Sequence, residues 1–309
     1  MAGMRRARLA GLLLLAGLPS AAAPQEDGAA RSPCAALASI RAADIRAHVD
    51  FLASDELAGR AAKSPEARRA AAYVEERFRA AGLEPLGDHR TFLQAVEAEA
   101  LSPNVVGGFR GREKGFVLVT AHYDHLPQKK KGNDRIYNGA DDNASGTAAL
   151  LEIAEALAKL EERPSASIVL VAFTGEELGF RGSRAFVEHP PFPLAEIRGL
   201  VNLDMISRGK ENLIFCEGEA KAPRLARAAR RANEVVGLEI RWNEHTDWLA
   251  QSDQWPFLEK GVPALYFGVE DHEDYHRPSD TADKILAPLA EKVTRLAFLL
   301  ALDVAREPG

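Results

Sequence analysis

An α/β domain with its sheet buried on both faces is predicted by three features of the sequence. Short apolar, β-branched runs alternate with longer stretches whose apolar residues recur at helical spacing. Those runs are nearly continuous, as in strands covered by helices on both sides, and lack the apolar/polar alternation of a strand with one wet face. No linker-like stretch interrupts residues 35–309, so the pattern belongs to one domain.

The N-terminal stretch stands apart from that pattern. Arg5, Arg6 and Arg8 precede the apolar run Leu9–Leu18, Pro19-Ser20 breaks it, and Ala21-Ala22-Ala23 offers small residues for cleavage. This order is that of a secretory signal peptide over residues 1–23, and the run is too short to span a bilayer comfortably. Export is therefore expected, with a secreted or periplasmic mature protein. Residues 24–41 are expected to be a flexible leader, polar and Gly/Pro-containing over 24–33, and the domain to cover 42–309.

Within the domain, one helix is expected over about Ala42–Leu57, with Ile45, Val49, Phe51 and Leu52 apolar. A second covers about Pro65–Ala81 and stops at Gly82, which can take the left-handed conformation that ends helices. Strands follow at 116–120, 168–173, 200–203, 212–216 and 264–267, and helices at Ala144–Leu160, Pro223–Val236 and Ala287–Val304. The run Leu296–Leu302 is closed by Asp303 and reads as a packed helix face, so no transmembrane segment is expected in the mature chain.

Composition narrows the class of function. Hydrophobic residues make up 46% and charged residues 27% of the chain, which excludes a disordered protein. The net charge of −6 excludes a nucleic-acid partner held by bulk positive charge, and removing residues 1–23 makes it more negative still. Two Cys exclude a disulfide scaffold and a Cys-rich zinc module, although Cys34 and Cys216 could pair in an oxidising compartment.

The chemistry lies at the strand ends, where open α/β sheets bind their ligands. After the 116–120 strand comes Ala121-His122-Tyr123-Asp124-His125, and Asn138-Gly139-Ala140-Asp141-Asp142-Asn143 leads into the next helix. Thr174-Gly175-Glu176-Glu177 follows the 168–173 strand, Asp204 follows the 200–203 strand, and Asp271-His272-Glu273-Asp274-Tyr275-His276 follows the last. Each segment alone has an ordinary role, such as capping a helix or favouring its dipole. Brought together on one sheet edge, these acids would repel one another and lose hydration, and a bound cation is the simplest way to stabilise them. Imidazole plus carboxylate without thiolate suits zinc, and a carboxylate can bridge two ions. Chemistry alone leaves open whether Asp141 or Asp142 bridges and whether His272 or His276 ligates.

These motifs, in this order, resemble the M28 family of zinc aminopeptidases, over most of residues 40–305. The stretch His48–Arg60 resembles the lead-in of bacterial members. Only a short connection separates the second helix from Ser102-Pro103-Asn104, so the protease-associated insert of some relatives is not expected. The resemblance implies a three-layer αβα sandwich with a central mixed, mostly parallel sheet of the zinc exopeptidase type. It implies two zinc ions held by His122, Asp142, Glu177, Asp204 and His276, with Asp142 bridging, and Glu176 as general base. By the same likeness Asp124 matches the carboxylate that orients the His122 ring, and Tyr275 matches a phenol that supports the tetrahedral intermediate in some members. His125 is read as lying beside the site or at its rim. The implied activity is removal of residues from a peptide substrate, as a secreted aminopeptidase. Carboxypeptidase-type members and glutaminyl cyclases, the latter with one zinc, share the fold. A catalytically dead relative would have lost a ligand or the base, and none is missing.

Trp242, Trp248 and Trp255 all lie between the Asp204 and His276 segments, where they either pack in the core or wall the pocket for the first substrate side chain. Lys129-Lys130-Lys131 reads as a solvated loop tip, and Asp253 as a structural acid near the site.

Overall fold

The computed structural model describes residues 33–96 and 101–307, together with Met1. The expected signal peptide lies, Met1 apart, outside the described residues.

Helix α1 covers Pro33–Ala38 and α2 covers Ala42–Leu52. The first of these falls inside the stretch expected to be a flexible leader, which is corrected over 33–41, where Ala36 and Ile40, four residues apart, are both buried; residues 24–32 lie outside the described residues. Carboxylates from elsewhere in the fold then satisfy the first amides of α2. Arg41 N–H donates to Glu152 at 3.1 Å and Ala42 N–H to Glu291 at 2.6 Å. A short turn, Asp55–Leu57, continues α2 where the periodicity had suggested one longer helix. Helix α3, Pro65–Ala80, is capped by the Ser64 hydroxyl, carries Pro at its start and is followed by Gly82 at φ 73°.

The strands are β1 (Glu84–Pro85), β2 (Leu93–Gln94), β3 (Asn104–Phe109), β4 (Phe116–His122), β5 (Ser167–Phe173), β6 (Ile197–Leu203), β7 (Leu213–Glu217), β8 (Glu239–Trp242) and β9 (Ala264–Gly268). They form one sheet in the order β1-β3-β5-β4-β6-β9-β7-β8, with β2 also on β3. The centre, β5-β4-β6-β9, is parallel, and the flanking pairs β3·β5 and β7·β9 are antiparallel. β3 escapes the sequence pattern because of Gly107 and Gly108. Their place is set by packing: a Cβ on Gly107 would stand 2.8 Å from the Phe78 ring of α3.

The remaining helices are α4 (Gly146–Ala158), α5 (Arg181–Glu188), α6 (Pro223–Val236), α7 (Gln254–Glu259) and α8 (Ala287–Arg306). Side-chain alternation along the strands explains the layers. Val117, Val119, Ile168, Leu170, Val201 and Leu203 join the core under α2, α3, α4, α6 and α8. Leu118, Val169, Val171, Phe173 and Leu200 join the opposite core, with Phe186 of α5 and Phe257 of α7. The result is the expected three-layer αβα sandwich. No helix among the described residues is long and apolar enough to cross a membrane.

Candidate metal centre

Parallel strands side by side deliver their carboxyl ends to one edge, and that edge carries the site. His122 is the last residue of β4, and Asp204 follows β6 directly. Glu176 and Glu177 occupy a tight turn just after β5, flanked by Gly175 and Gly179 in left-handed conformation. Asp142 lies in the wide, irregular turn Ala140–Ser145 that precedes α4, where a regular helix from Ala144 had been expected. Gly139 opens that turn at φ 55°, and a Cβ there would meet the Asp142 carbonyl at 2.2 Å, so only glycine fits. His276 comes from the loop after β9.

These residues meet as two sets of donors sharing Asp142. In one, His122 Nε2 lies 3.4 Å from Asp142 Oδ1 and 3.1 Å from Asp204 Oδ1. In the other, His276 Nε2 lies 3.2 Å from Asp142 Oδ2 and 3.4 Å from Glu177 Oε2. Zinc bonds of about 2.0–2.1 Å in a tetrahedron place neighbouring donors about 3.3 Å apart, which the separations of each imidazole from its two carboxylates match. Glu177 Oε1 lies 2.7 Å from the buried His125 Nδ1, while Oε2 is left toward His276. The donors present therefore fit zinc.

The electrostatics agree. Burial disfavours a charged His122 ring, yet Asp204, Glu176 and Asp142 raise it well above its ordinary pKa. Burial likewise opposes charge on His276, and Asp142 and Glu177 lift it to about 10. Glu177 is desolvated, but His125 and His276 hold its carboxyl far below the usual range. Without a metal, the cluster draws positive charge onto its imidazoles.

The neighbours of these residues do a different job. The Asp141 carboxylate turns away from the two sets, accepting from Ser207 N–H and Ser207 Oγ, each at 2.7 Å. His272 Nε2 lies 3.3 Å from Asp141 Oδ2, so His272 pairs with Asp141 while His276 faces Asp142. Asp280, which sequence reasoning passed over, accepts from the N–H groups of Asp141 and Asp142. Arg60 was also missed as a site residue. Fully buried, it donates to the carbonyls of Tyr123, Leu52, Asn138 and Gly139 and so ties α2 to the Asp142 turn. Ser252 Oγ donates to Asp204 Oδ2 at 2.6 Å and accepts from Asn202 Nδ2, and the Asn202 side-chain Oδ1 accepts from Thr120 Oγ1. Ser252 belongs to the Ser-Asp-x-x-x-Phe segment that resembles the family's, whereas nothing in the linear sequence marks Thr120, because its partner is brought to it only by the sheet.

Glu176 faces the cavity, with Oε2 4.0 Å from His122 Nε2 and a side chain 11% exposed. Burial pushes its carboxyl well above the usual range, with His122 opposing the shift. Asp124 sits differently from expectation. The His122 Nδ1 partner is the Asp124 main-chain carbonyl at 3.1 Å, while the carboxylate stands 3.8 Å off and accepts from Glu176 N–H. Burial raises that carboxyl to about 7, with His122 lowering it. Asp253 accepts from Ser183 Oγ behind the site. Tyr275 stacks on His276 with centroids 3.9 Å apart.

A cavity of about 50 Å³ opens beside the donors, lined by Glu176, Trp248, Gln251, Tyr266, Asp271 and Tyr275, among others. Of the Trp residues, only Trp248 lines it. Trp242, on edge strand β8, lies under the Arg230 guanidinium, and Trp255, on α7, stands outside the lining, so neither walls the pocket as expected. Cys34 is exposed and Cys216 buried, and they are not bonded to each other.

Fold and site together define an α/β protein with a buried cluster of imidazoles and carboxylates, able to hold a metal, at the carboxyl edge of its sheet. The model of peptidase family M28 matches residues 104–301, and the chain belongs to that family. The chain is 29% identical to a probable zinc metalloprotease of Leptosphaeria maculans over 62% of its own length and 53% of the relative's. It is 30% identical to aminopeptidase YwaD of Bacillus subtilis over 55% of its length and 37% of that protein. It thus spans about half the length, or less, of these relatives. The Legionella pneumophila LapA aminopeptidase shares the fold at a TM-score of 0.77 and 20% identity, covering 90% of this chain and 75% of the other. A Bacteroides thetaiotaomicron glutaminyl cyclase does so at a TM-score of 0.68 and 18% identity, over 85% of this chain and 98% of the other.

Proposed function

We propose that this chain is a di-zinc exopeptidase that removes N-terminal residues from peptides, working outside the cytoplasm after loss of residues 1–23, with residues 42–309 as its single peptidase domain. The observation that carries the two-ion reading is the split of the Asp142 carboxylate, with Oδ1 toward His122 and Oδ2 toward His276. His122, Asp142 and Asp204 hold one ion, and Asp142, Glu177 and His276 the other. Zinc, when bound, acidifies a water and polarises a carbonyl.

The chain's own residues carry the rest. Glu176 takes the proton from the attacking water and delivers it to the leaving amine, a role its position in the cavity wall supports. The Tyr275 hydroxyl lies on the same wall and supports the oxyanion. Trp248 and Tyr266 offer aromatic surface to the first substrate side chain.

A glutaminyl cyclase of this fold is the competing reading, favoured only by the structural likeness, and a metal count separates the two. Purified protein stripped with a chelator and reloaded with zinc is expected to regain hydrolysis as it takes up two equivalents. Digestion of a peptide mixture is expected to show trimming from the N-terminus. Undiminished hydrolysis by the stripped protein overturns the metal reading, and trimming from the C-terminus overturns the aminopeptidase assignment.

A further inference from the structure

We propose that His48, Glu152 and Glu155 form a further metal site, separate from the carboxyl edge of the sheet, that takes a divalent transition metal such as zinc and ties α2 to α4.

His48 lies on α2, and Glu152 and Glu155 lie three residues apart on one face of α4. The His48 and Glu152 side chains are 7% and 1% exposed, and Glu155 is half-buried. One donor atom from each of the three lies within 4.8 Å of the other two. His48 Nε2 stands 3.6 Å from Glu152 Oε1. A charge-assisted hydrogen bond between them would close to about 2.7–2.9 Å. The two atoms are held short of that, and among the described residues the buried Glu152 Oε1 has no hydrogen-bond partner. A carboxylate oxygen so placed, near the separation of neighbouring donors on one ion, is satisfied by a shared cation.

The fold engages the other atom of each buried group. His48 Nδ1 meets the Tyr73 hydroxyl of α3 at 2.7 Å, the kind of outer partner that orients a ligating imidazole and leaves Nε2 for the metal. Tyr73 is itself packed on Phe51, with ring centroids 4.2 Å apart. Glu152 Oε2 accepts from Arg41 N–H at 3.1 Å, which leaves Oε1 toward His48. The Arg41 side chain, though both glutamates attract it, is turned to Asp44, with Nε 2.7 Å from Oδ2. An imidazole with two carboxylates suits zinc and its first-row neighbours, whereas calcium and magnesium favour shells of oxygen.

The site braces the scaffold behind the catalytic edge. α4 starts from the Asp142 turn, and the Leu52 carbonyl at the end of α2 accepts from Arg60, which also reaches that turn. The edge gathers its donors at 3.1 to 3.4 Å, whereas this pair must close from 3.6 Å while Glu155 is ordered. The site therefore fills after the edge.

Zinc chloride titrated into stripped protein against a chromophoric chelator, beyond the amount that restores hydrolysis, tests this. Wild type is expected to take up one further equivalent and to gain a higher unfolding midpoint with it. Glu155→Gln and His48→Gln are expected to bind that equivalent at least about ten-fold more weakly, with hydrolysis near wild type. Tyr73→Phe keeps the ring, removes the partner of His48 Nδ1 and is expected to weaken the same equivalent about 10–100-fold. Circular dichroism reports whether each variant is folded. In wild type alone, the ¹⁵N resonances of the His48 ring are expected to shift as the further equivalent binds. Equal uptake by wild type and folded Glu155→Gln, or His48 resonances unmoved by the added zinc, overturns the site. The comparison is between chains with the same catalytic edge, so its result does not depend on how many ions that edge holds.

Discussion

Asp141 and Asp142 are adjacent and both buried, yet they belong to two regions built from the same residue types for opposite ends. Asp142, Glu177, Asp204, His122 and His276 form a row facing the cavity side, while Asp141, Asp124, Asp253, Asp280 and His272 form a row behind it. In the rear row, fixed N–H and O–H donors reach the carboxylates: Ser207 on Asp141, the Glu176 amide on Asp124, Ser183 on Asp253 and two turn amides on Asp280. In the front row, Asp142 and Glu177 meet imidazoles and little else. Donors from the fold do not mark an acid as structural by themselves, since Asp204 accepts from Ser252 and still faces His122. Residue type does not separate the rows, whereas position does: His122, Asp142, Asp204 and His276 line the cavity, and the rear row does not.

The largest effect expected across this divide comes from Asp142→Asn. It removes the oxygen charge that both donor sets share, so bound zinc should fall from two equivalents to below one and hydrolysis to background. Asp141→Asn should keep both equivalents. It weakens hydrogen bonds from the Ser207 N–H and hydroxyl to a charged group, each worth about 1.5–3 kcal/mol, and should lower the unfolding midpoint instead. Equal zinc loss in the two variants, by elemental analysis, erases the distinction between the rows.

Glu176 and Glu177 divide the next effect between them. Glu176→Gln should reduce turnover by about 10²–10⁴-fold with zinc content unchanged, since Gln keeps the shape but cannot accept a proton. Glu177→Gln should lose occupancy of one ion along with rate. The opposite pattern, zinc lost from the first variant and kept in the second, exchanges their places.

Asp124 straddles the rows and should show a smaller change. Its carbonyl holds His122 and its carboxylate holds the Glu176 amide, so Asp124→Asn leaves the His122 contact in place. Turnover should drop by no more than about 10–100-fold, with zinc affinity at the His122 set near wild type. An affinity loss matching the rate loss reassigns the carboxylate as the partner of the His122 ring.

Smallest of all is the effect at the aromatic wall. Trp248→Ala should reorder Leu, Phe and Ala substrates within the roughly 1–3 kcal/mol that apolar pocket contacts discriminate, measured as ratios of kcat/KM. Trp242→Ala and Trp255→Ala should leave that order intact and act on thermal stability. A reordering by Trp255→Ala would bring α7 into the pocket.

Much of this was legible in the linear sequence. The central strands and long helices stood out because a sheet covered on both faces demands near-continuous apolar runs and helices one apolar stripe. The missed elements are those whose local signal was weak: short α1, β3 with its glycine pair, the short strands β1, β2 and β8, and short α5 and α7. The residues of the front row were readable as well, since acids and imidazoles at strand ends are unusual together. Choosing among neighbours was harder. Asp141 against Asp142 and His272 against His276 rested on likeness to a family, because each pair offers the same chemistry one or a few residues apart.

By itself, the sequence determined the α/β class, the edge of the sheet that carries the chemistry and the donor types that suit zinc. These follow from composition and periodicity, which act locally along the chain. Only the tertiary structure decided which carboxylate faces inward, that the Asp124 carbonyl meets the His122 ring, that buried Arg60 gathers the turn, and that the His125 ring meets Glu177. Such outcomes depend on which donors reach a side chain from segments far apart in sequence, as Ser207 reaches Asp141 and Asp280 reaches the turn amides. A hydrogen bond or a ligand direction is fixed by position in space, and no spacing along the chain encodes it.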